Sequence, residues 1–229
     1  MDTQLTPGTV IEGRHFGVDE AGRGAMAGPL AVAAVAFPWA QGPWQDELRD
    51  SKLLSVAKRE SLCARITTWC QYACVMIDAA WIDAHGIDAA ETEGLLRVIM
   101  QLSDGGRQAE DFIQLPETII LDGTPQTWGL QKTSIGQNLE SRLAFMIKGD
   151  KYVPAISAAS IVAKTLRDAY MKTEAHNQYP CYNFFSHVGY VTQEHLDALE
   201  KFGPCQIHRK SFAPVRRNIE RSMITNSSS

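Results

Sequence analysis

Phe16-Gly17-Val18-Asp19-Glu20-Ala21-Gly22-Arg23-Gly24-Ala25-Met26-Ala27-Gly28-Pro29 carries a short apolar run into two adjacent carboxylates and then at once into Gly-Arg-Gly. In a regular strand Asp19 and Glu20 point to opposite faces, so both serve one site only if the strand ends or bends there. Gly22 and Gly24 permit that bend. Neighbouring like charges are unfavourable unless a cation neutralises them, and all-oxygen ligation is what Mg²⁺ or Mn²⁺ prefers. The glycines also let backbone N–H groups approach a sugar or phosphate, with Arg23 adding positive charge. The plain alternative is a solvated acidic turn after a strand.

Working outward, Gly22-x-Gly24-x-x-Ala27 satisfies the dinucleotide-binding fingerprint, yet two features speak against it. Asp19 and Glu20 would lie beside a pyrophosphate that they repel, and Pro29 interrupts the place where a crossover helix should run. Leu30 to Phe37, closed by Pro38, reads instead as a second, buried strand paired with Arg14 to Val18.

A chain of 229 residues with 45% hydrophobic and 21% charged residues has the composition of an ordinary globular protein with one sizeable core. No run is long enough to span a membrane, and Met1-Asp2-Thr3-Gln4 lacks the basic and apolar regions of a signal peptide, so a cytoplasmic protein is expected. Five scattered cysteines without a C-x-x-C pair favour reduced thiols over zinc. With a net charge of −4, nucleic-acid binding would have to rest on local basic clusters.

Further along, Ser55 is a credible N-cap for a helix over Val56 to Ile66, which places Lys52 in the approach to that helix. Gln71 to Ile77 reads as a strand. Ala79 to Leu102 reads as helix with a break near His85-Gly86, its core face formed by Ile87, Ala90, Gly94, Leu95, Val98 and Ile99. Asp83, Asp88, Glu91 and Glu93 then fall on its solvated side. Thr118 to Asp122, followed by Gly123, sets a carboxylate at the tip of a buried strand, where open α/β sheets place their chemistry. Phe145 to Asp150 repeats the theme of an apolar run, a glycine and a carboxylate. A helix starts near Pro154, and Ser157, Ser160 and Lys164 share a polar stripe on it, facing either solvent or a phosphate track. Thr192 caps a helix over Gln193 to Phe202 that Gly203-Pro204 stops. From His208 through Arg209, Lys210, Arg216, Arg217 and Arg221 the chain is basic, the best local candidate for a nucleic-acid contact.

Taken together and in order, Asp19-Glu20-Ala21-Gly22-Arg23-Gly24, Asp50-Ser51-Lys52, Leu121-Asp122-Gly123, Lys148-Gly149-Asp150, Ala158 to Lys164 with Arg167-Asp168, His187 to Thr192, and His208 to Phe212 resemble ribonuclease HII from about Phe16 to Val215. The resemblance implies an α/β ribonuclease H-like fold, a mixed five-stranded sheet flanked by helices, with a small helical C-terminal part. With the residues at either end read as a loose lead-in over 1–13 and a disordered tail over 222–229, the expected catalytic domain spans 14–221, with a helical and basic subregion over about 176–221.

What the family does is implied in the same way: hydrolysis of the RNA strand of RNA–DNA hybrids and cutting 5′ of single ribonucleotides in duplex DNA. Asp19, Glu20, Asp122 and Asp150 match its four metal-binding, catalytic carboxylates. Two Mg²⁺ or Mn²⁺ ions about 4 Å apart would clamp the scissile phosphate, leaving 5′-phosphate and 3′-hydroxyl ends. Gly22, Arg23 and Gly24 match the sensor of the ribose 2′-hydroxyl, Tyr190 matches a tyrosine that packs on the neighbouring sugar, and Lys52 and Lys164 would bind phosphates. Ala25-Met26 stands where the family usually has Pro-Leu. A monomer acting on nucleic acid is expected, with no membrane and no protein partner evident. Two rivals differ in kind: another two-metal DNA nuclease, which would cut all-DNA substrates, and a catalytically silent binding module, which the presence of all four carboxylates disfavours.

Overall fold

The computed structural model describes residues 3–36, 45–48, 54–103, 116–130 and 137–227. In chain order its elements are β1 (Thr3–Gln4), β2 (His15–Ala21), β3 (Leu30–Ala36), α1 (Val56–Trp69), β4 (Gln71–Ile77), α2 (Ala79–His85), α3 (Ile87–Ser103), β5 (Thr118–Asp122), α4 (Gln137–Glu140), β6 (Leu143–Met146), α5 (Pro154–Tyr170), α6 (His176–Gln178), α7 (Phe184–His187), α8 (Gln193–Phe202) and α9 (Ala213–Ser227). The strands form one mixed sheet in the order β1-β6-β5-β2-β3-β4. β2 runs parallel to β5 and antiparallel to β3, so it stands where the two halves of the sheet meet.

Both faces of this centre are covered, which is why β3 has no polar position to alternate with and all seven of its residues are buried. Phe16, Val18, Leu30 and Val32 face α2 and α3, where Ile82, Leu95, Val98 and Ile99 pack against them. Ala21, Ala31, Ala33 and Val35 face the other way, onto Leu62 and Ile66 of α1 and Ala158, Ile161 and Val162 of α5. Each large apolar side chain so buried contributes roughly 1.5–3 kcal/mol. Small residues set how closely α5 lies on the sheet. A Cβ added at Gly17 would stand 2.1 Å from the backbone carbon of Ala155, so Gly17→Ala would push the start of α5 off β2.

Helix ends follow local chemistry. The Ser55 side chain accepts from Lys58 N, the Thr192 side chain accepts from His195 N, and Gly86 at φ 87° separates α2 from α3. Among the described residues no helix is long and apolar enough to cross a membrane.

Two expectations change. The sheet has six strands rather than five: the lead-in supplies β1, which pairs parallel with β6 through Thr3↔Ala144 and Gln4↔Phe145. Leu5 N donates to Phe145 O at 2.7 Å, and Leu5 packs on the cluster of Ile120, Met146 and Ile156, which ties down a segment that composition alone reads as loose. At the other end α9 continues to Ser227, across the stretch expected to lack structure from 222 onward. That helix is anchored earlier, where Val215 packs with Met26 and Leu199.

Candidate active site

A cleft of about 400 Å³ opens at the C-terminal ends of β2 and β5. Strand β2 and its following turn supply Asp19, Glu20 and Gly22–Gly24; β5 supplies Asp122; α1 supplies Arg59; α5 supplies Ser160 and Lys164; and Tyr190 closes the far side. The sequence called for the strand to end or bend at the carboxylates. Instead β2 stays paired with β3 through Glu20↔Val32 and Ala21↔Ala31, while its ladder with β5 runs only to Val18↔Leu121. Beyond Val18 one edge of β2 is released from β5. Asp19 and Glu20 therefore keep their opposite directions and still line one cleft.

The electrostatics of this corner are unfavourable by construction. Burial, then the charges of Glu20 and Asp122, hold the Asp19 carboxyl well above the usual range, with a hydrogen bond from Ser160 opposing them. Glu20 is raised to about 7 by burial and by the charges of Glu91 and Asp122. Backbone donors orient the group: Glu20 N donates to Asp19 Oδ1 at 2.8 Å, and Gly149 N donates to Asp122 Oδ1 at 2.7 Å. Behind Asp122, Trp128 is fully buried and donates Nε1–H to the Asp122 carbonyl at 2.7 Å.

Asp150 sits one residue from that Gly149 donor, in a 3-10 turn over Gly149–Lys151, and is buried at 1% exposure. It is beside the cleft rather than among the residues that line it. Lys52 lies outside the described residues.

Arg23 is placed differently from its sequence reading. Its guanidinium bonds Asp88 Oδ1 at 3.0 Å, Thr127 O at 2.9 Å and the carboxylate of Glu91. The charge is thereby paired with two carboxylates of α3, while Arg23 still lines the cleft beside Gly22 and Gly24. Glu91 is accordingly no solvated residue but fully buried, its carboxyl raised to about 7 by burial against the opposing pull of Arg23. Asp83, also read as solvated, accepts from Lys210 N, Ser211 N and the Ser211 hydroxyl, and so anchors the segment before α9.

Two buried arginines hold the Gly-rich turn from below. Arg167 donates to the carbonyls of Pro29, Val188 and Ala27, and Arg209 donates to those of Gly28 and Arg23. A Cβ at Gly22, whose φ is 91°, would strike Arg167 Nε at 2.0 Å, so only glycine lets the turn lie this close. Burial and the nearby Arg167 charge lower Arg209 to about 9. The basic run thus divides: His208 and Arg209 are structural and buried, whereas Lys210, Arg216, Arg217 and Arg221 are exposed.

Lys164 pairs with Asp168 at 2.9 Å, and its Nζ lies 5.0 Å from the centre of the Tyr190 ring. Of the remaining stripe, Ser160 reaches the cleft and the Ser157 hydroxyl donates to Leu48 O in the interior. Arg59, Glu91 and Trp128 belong to this site or its support; the sequence reading assigned no role to Arg59 or Trp128 and put Glu91 on the solvated side of its helix. Arg59 carries no local signal, and Glu91 is separated from its partner Arg23 by most of the first half of the sheet.

The fold and its acidic cleft define a nuclease of the ribonuclease H class. The family model described as Ribonuclease HII matches residues 16–215. A ribonuclease HII of Xylella fastidiosa is 42% identical over 202 residues, covering 88% of this chain and 77% of the relative. Among solved structures, the ribonuclease H2 of Pyrococcus horikoshii superposes with a TM-score of 0.69 at 23% identity, covering 91% of this chain and 98% of that one. Bst-RNase HIII in complex with Mn²⁺ gives 0.65 at 19% identity, covering 91% and 70%. The chain belongs to the ribonuclease HII family. It is an enzyme of the kind that cleaves the RNA strand of RNA–DNA hybrids.

Proposed function

We propose that the chain also cuts duplex DNA 5′ of a single embedded ribonucleotide, with two divalent ions held in the cleft, leaving 5′-phosphate and 3′-hydroxyl ends. The observation that carries this reading is the shared cleft of Asp19, Glu20, Asp122 and the Gly22–Gly24 backbone. A 2′-hydroxyl can be read by that backbone only within reach of the carboxylates that act on the adjoining phosphate.

The donor set fits hard cations: burial and neighbouring charge, that of Asp122 included, disfavour the charged forms of Asp19 and Glu20, so the cluster gains from positive charge. Among the described residues no three His, Cys, Asp or Glu side chains close on one point, so water and substrate phosphate would complete the coordination, as Mg²⁺ favours. Asp19, Glu20 and Asp122 would hold the ions, with Asp150 supporting from beside Asp122. A fold neighbour's Mn²⁺ is consistent with this choice. When bound, such ions supply an activated water and charge stabilisation at the leaving oxygen. Lys164 would meet a substrate phosphate, and Tyr190 would pack on the sugar next to the ribonucleotide. Lys52 keeps its phosphate role as a proposal from the resemblance alone.

The test is cleavage, with Mg²⁺ and separately with Mn²⁺, of a duplex carrying one internal ribonucleotide against the same duplex without it. A single cut on the 5′ side of the ribonucleotide is expected. Equal cutting of both duplexes would point to a general DNA nuclease, and cutting of neither would remove the proposed activity.

A further inference from the structure

Behind Tyr190 stand three histidines that this chemistry does not use. His187 and His195 stack with ring centroids 4.2 Å apart, and His195 Nε2 lies 3.1 Å from His208 Nε2. All three are buried. Their backbone partners decide where each proton sits. His187 Nδ1 accepts from Gly189 N at 3.2 Å, so its proton is on Nε2, donated to Tyr182 O at 2.9 Å. His195 Nδ1 faces Tyr190 O at 2.9 Å and must donate, which leaves Nε2 as an acceptor. His208 therefore donates from Nε2 to His195, and its Nδ1 accepts from Cys205 N at 3.0 Å. The Cys205 thiol, 3.1 Å from the same nitrogen, is kept protonated by burial, which raises it to about 11.

One directional series thus runs from Cys205 N–H through His208 and His195 to the carbonyl of Tyr190, and His187 grips the next amide, Gly189. Gly189 O in turn accepts from Met26 N and Ala27 N of the Gly-rich turn. Both ring nitrogens of His187, His195 and His208 are engaged, so a further proton on any of the three would set N–H against N–H.

We propose that His187, His195 and His208 are positioning residues, a mount of neutral rings that holds Gly189 and Tyr190 against the cleft and cannot accept protons without releasing them. This rests on the reading of Tyr190 as the residue that packs on the substrate. The surroundings supply a charged ring with less relief than burial takes away. Phe184 and Tyr182 meet His195 and His208 edge-on, and Arg167 donates to the neighbouring Val188 O. Glu194, the nearest carboxylate along α8, is engaged by Asn183. Burial accordingly lowers His195 to about 4 and His208 to about 3, and a proton on any one ring would oppose protonation of its neighbours.

Two measurements on the full chain test this. Ring ¹⁵N shifts should show His187 and His208 protonated at Nε2 and His195 at Nδ1, with His195 and His208 unchanged from pH 7.5 to 5.5. A different tautomer at any of the three, or titration of His195 or His208 in that interval, would overturn the mount. His195→Leu should then lower cleavage at a single ribonucleotide about tenfold more than cleavage of a long hybrid, the size expected for one unsatisfied carbonyl. His195→Gln, which can donate to Tyr190 O and accept from His208, should recover most of it. In a Tyr190→Ala background His195→Leu should change that ratio less than about twofold, because the two act as one unit. Equal losses on both substrates, or an undiminished effect without the Tyr190 ring, would reject positioning through Tyr190. Wild-type protein that fails to cut at single ribonucleotides would sink the proposed function instead, while the ring shifts still judge the mount.

Discussion

On one side of the cleft Asp19, Glu20 and Asp122 press like charges together at the ends of two strands; on the other, His187, His195 and His208 have both ring nitrogens engaged. The acidic side is destabilised where it stands and gains from whatever brings positive charge. The histidine side gains nothing from a ligand and serves by staying put. Like charges thus crowd where the substrate would be met, while the ring nitrogens behind Tyr190 are each partnered.

The sharpest way to break this contrast is Asp122→Asn, which keeps the shape and the acceptor for Gly149 N but removes one charge. Cleavage should fall at least about 10³-fold, as loss of several kcal/mol of charge stabilisation implies, while the melting temperature holds or rises. A mutant that cuts well, or that melts appreciably lower, would show the acidic corner to be structural.

Arg209→Met probes the opposite side. Hydrogen bonds from a charged donor to Arg23 O and Gly28 O are lost, at about 1.5–3 kcal/mol each, and the relief of unburying a guanidinium offsets part of this, so urea unfolding should show a net loss of about 2–4 kcal/mol. An unchanged midpoint would mean that the turn supports itself.

Acid should act on the histidine side. Unfolded histidine titrates near 6.5, whereas His195 and His208 in the fold take protons only near 4 and 3. Below pH 6.5 the unfolded chain binds protons that the folded one refuses. The two rings' contribution to stability is therefore complete above that pH and falls beneath it, by about 1 kcal/mol per ring between pH 6.5 and 5.5, against the opposite slope of Glu20 and Glu91, whose folded carboxyls take up protons near 7. Denaturant melts of the wild type and of His208→Gln over that interval should differ by one ring's share; identical slopes would remove His208 from the effect.

The smallest change is expected at Asp88→Asn, where a half-exposed pair with Arg23 is worth under about 1 kcal/mol and Glu91 still holds the guanidinium. A loss several times larger, seen in the same urea titration, would make Asp88 the principal anchor of the turn.

Much of this architecture was legible along the chain. The bounds of β4, β5 and α8 follow from runs and caps whose causes lie within a few residues: Thr192 before a helix, Gly203 after it, Asp-Gly at a strand tip. The break between α2 and α3 at Gly86 belongs with them. So do the carboxylates Asp19, Glu20 and Asp122, because a charged residue closing an apolar run announces itself by type and place. Sequence alone thus determined the order of most strands and helices and the identity of the acidic corner. Tertiary structure decided what depends on distant partners. It took Thr3 and Gln4 into the sheet beside β6, buried Glu91 under Arg23, brought Arg59 from α1 into the cleft, and converted Arg209 from an apparent surface charge into a buried clamp. In each case the side chain's own type argues for solvent, and only a complementary group from elsewhere in the chain makes its burial or pairing favourable.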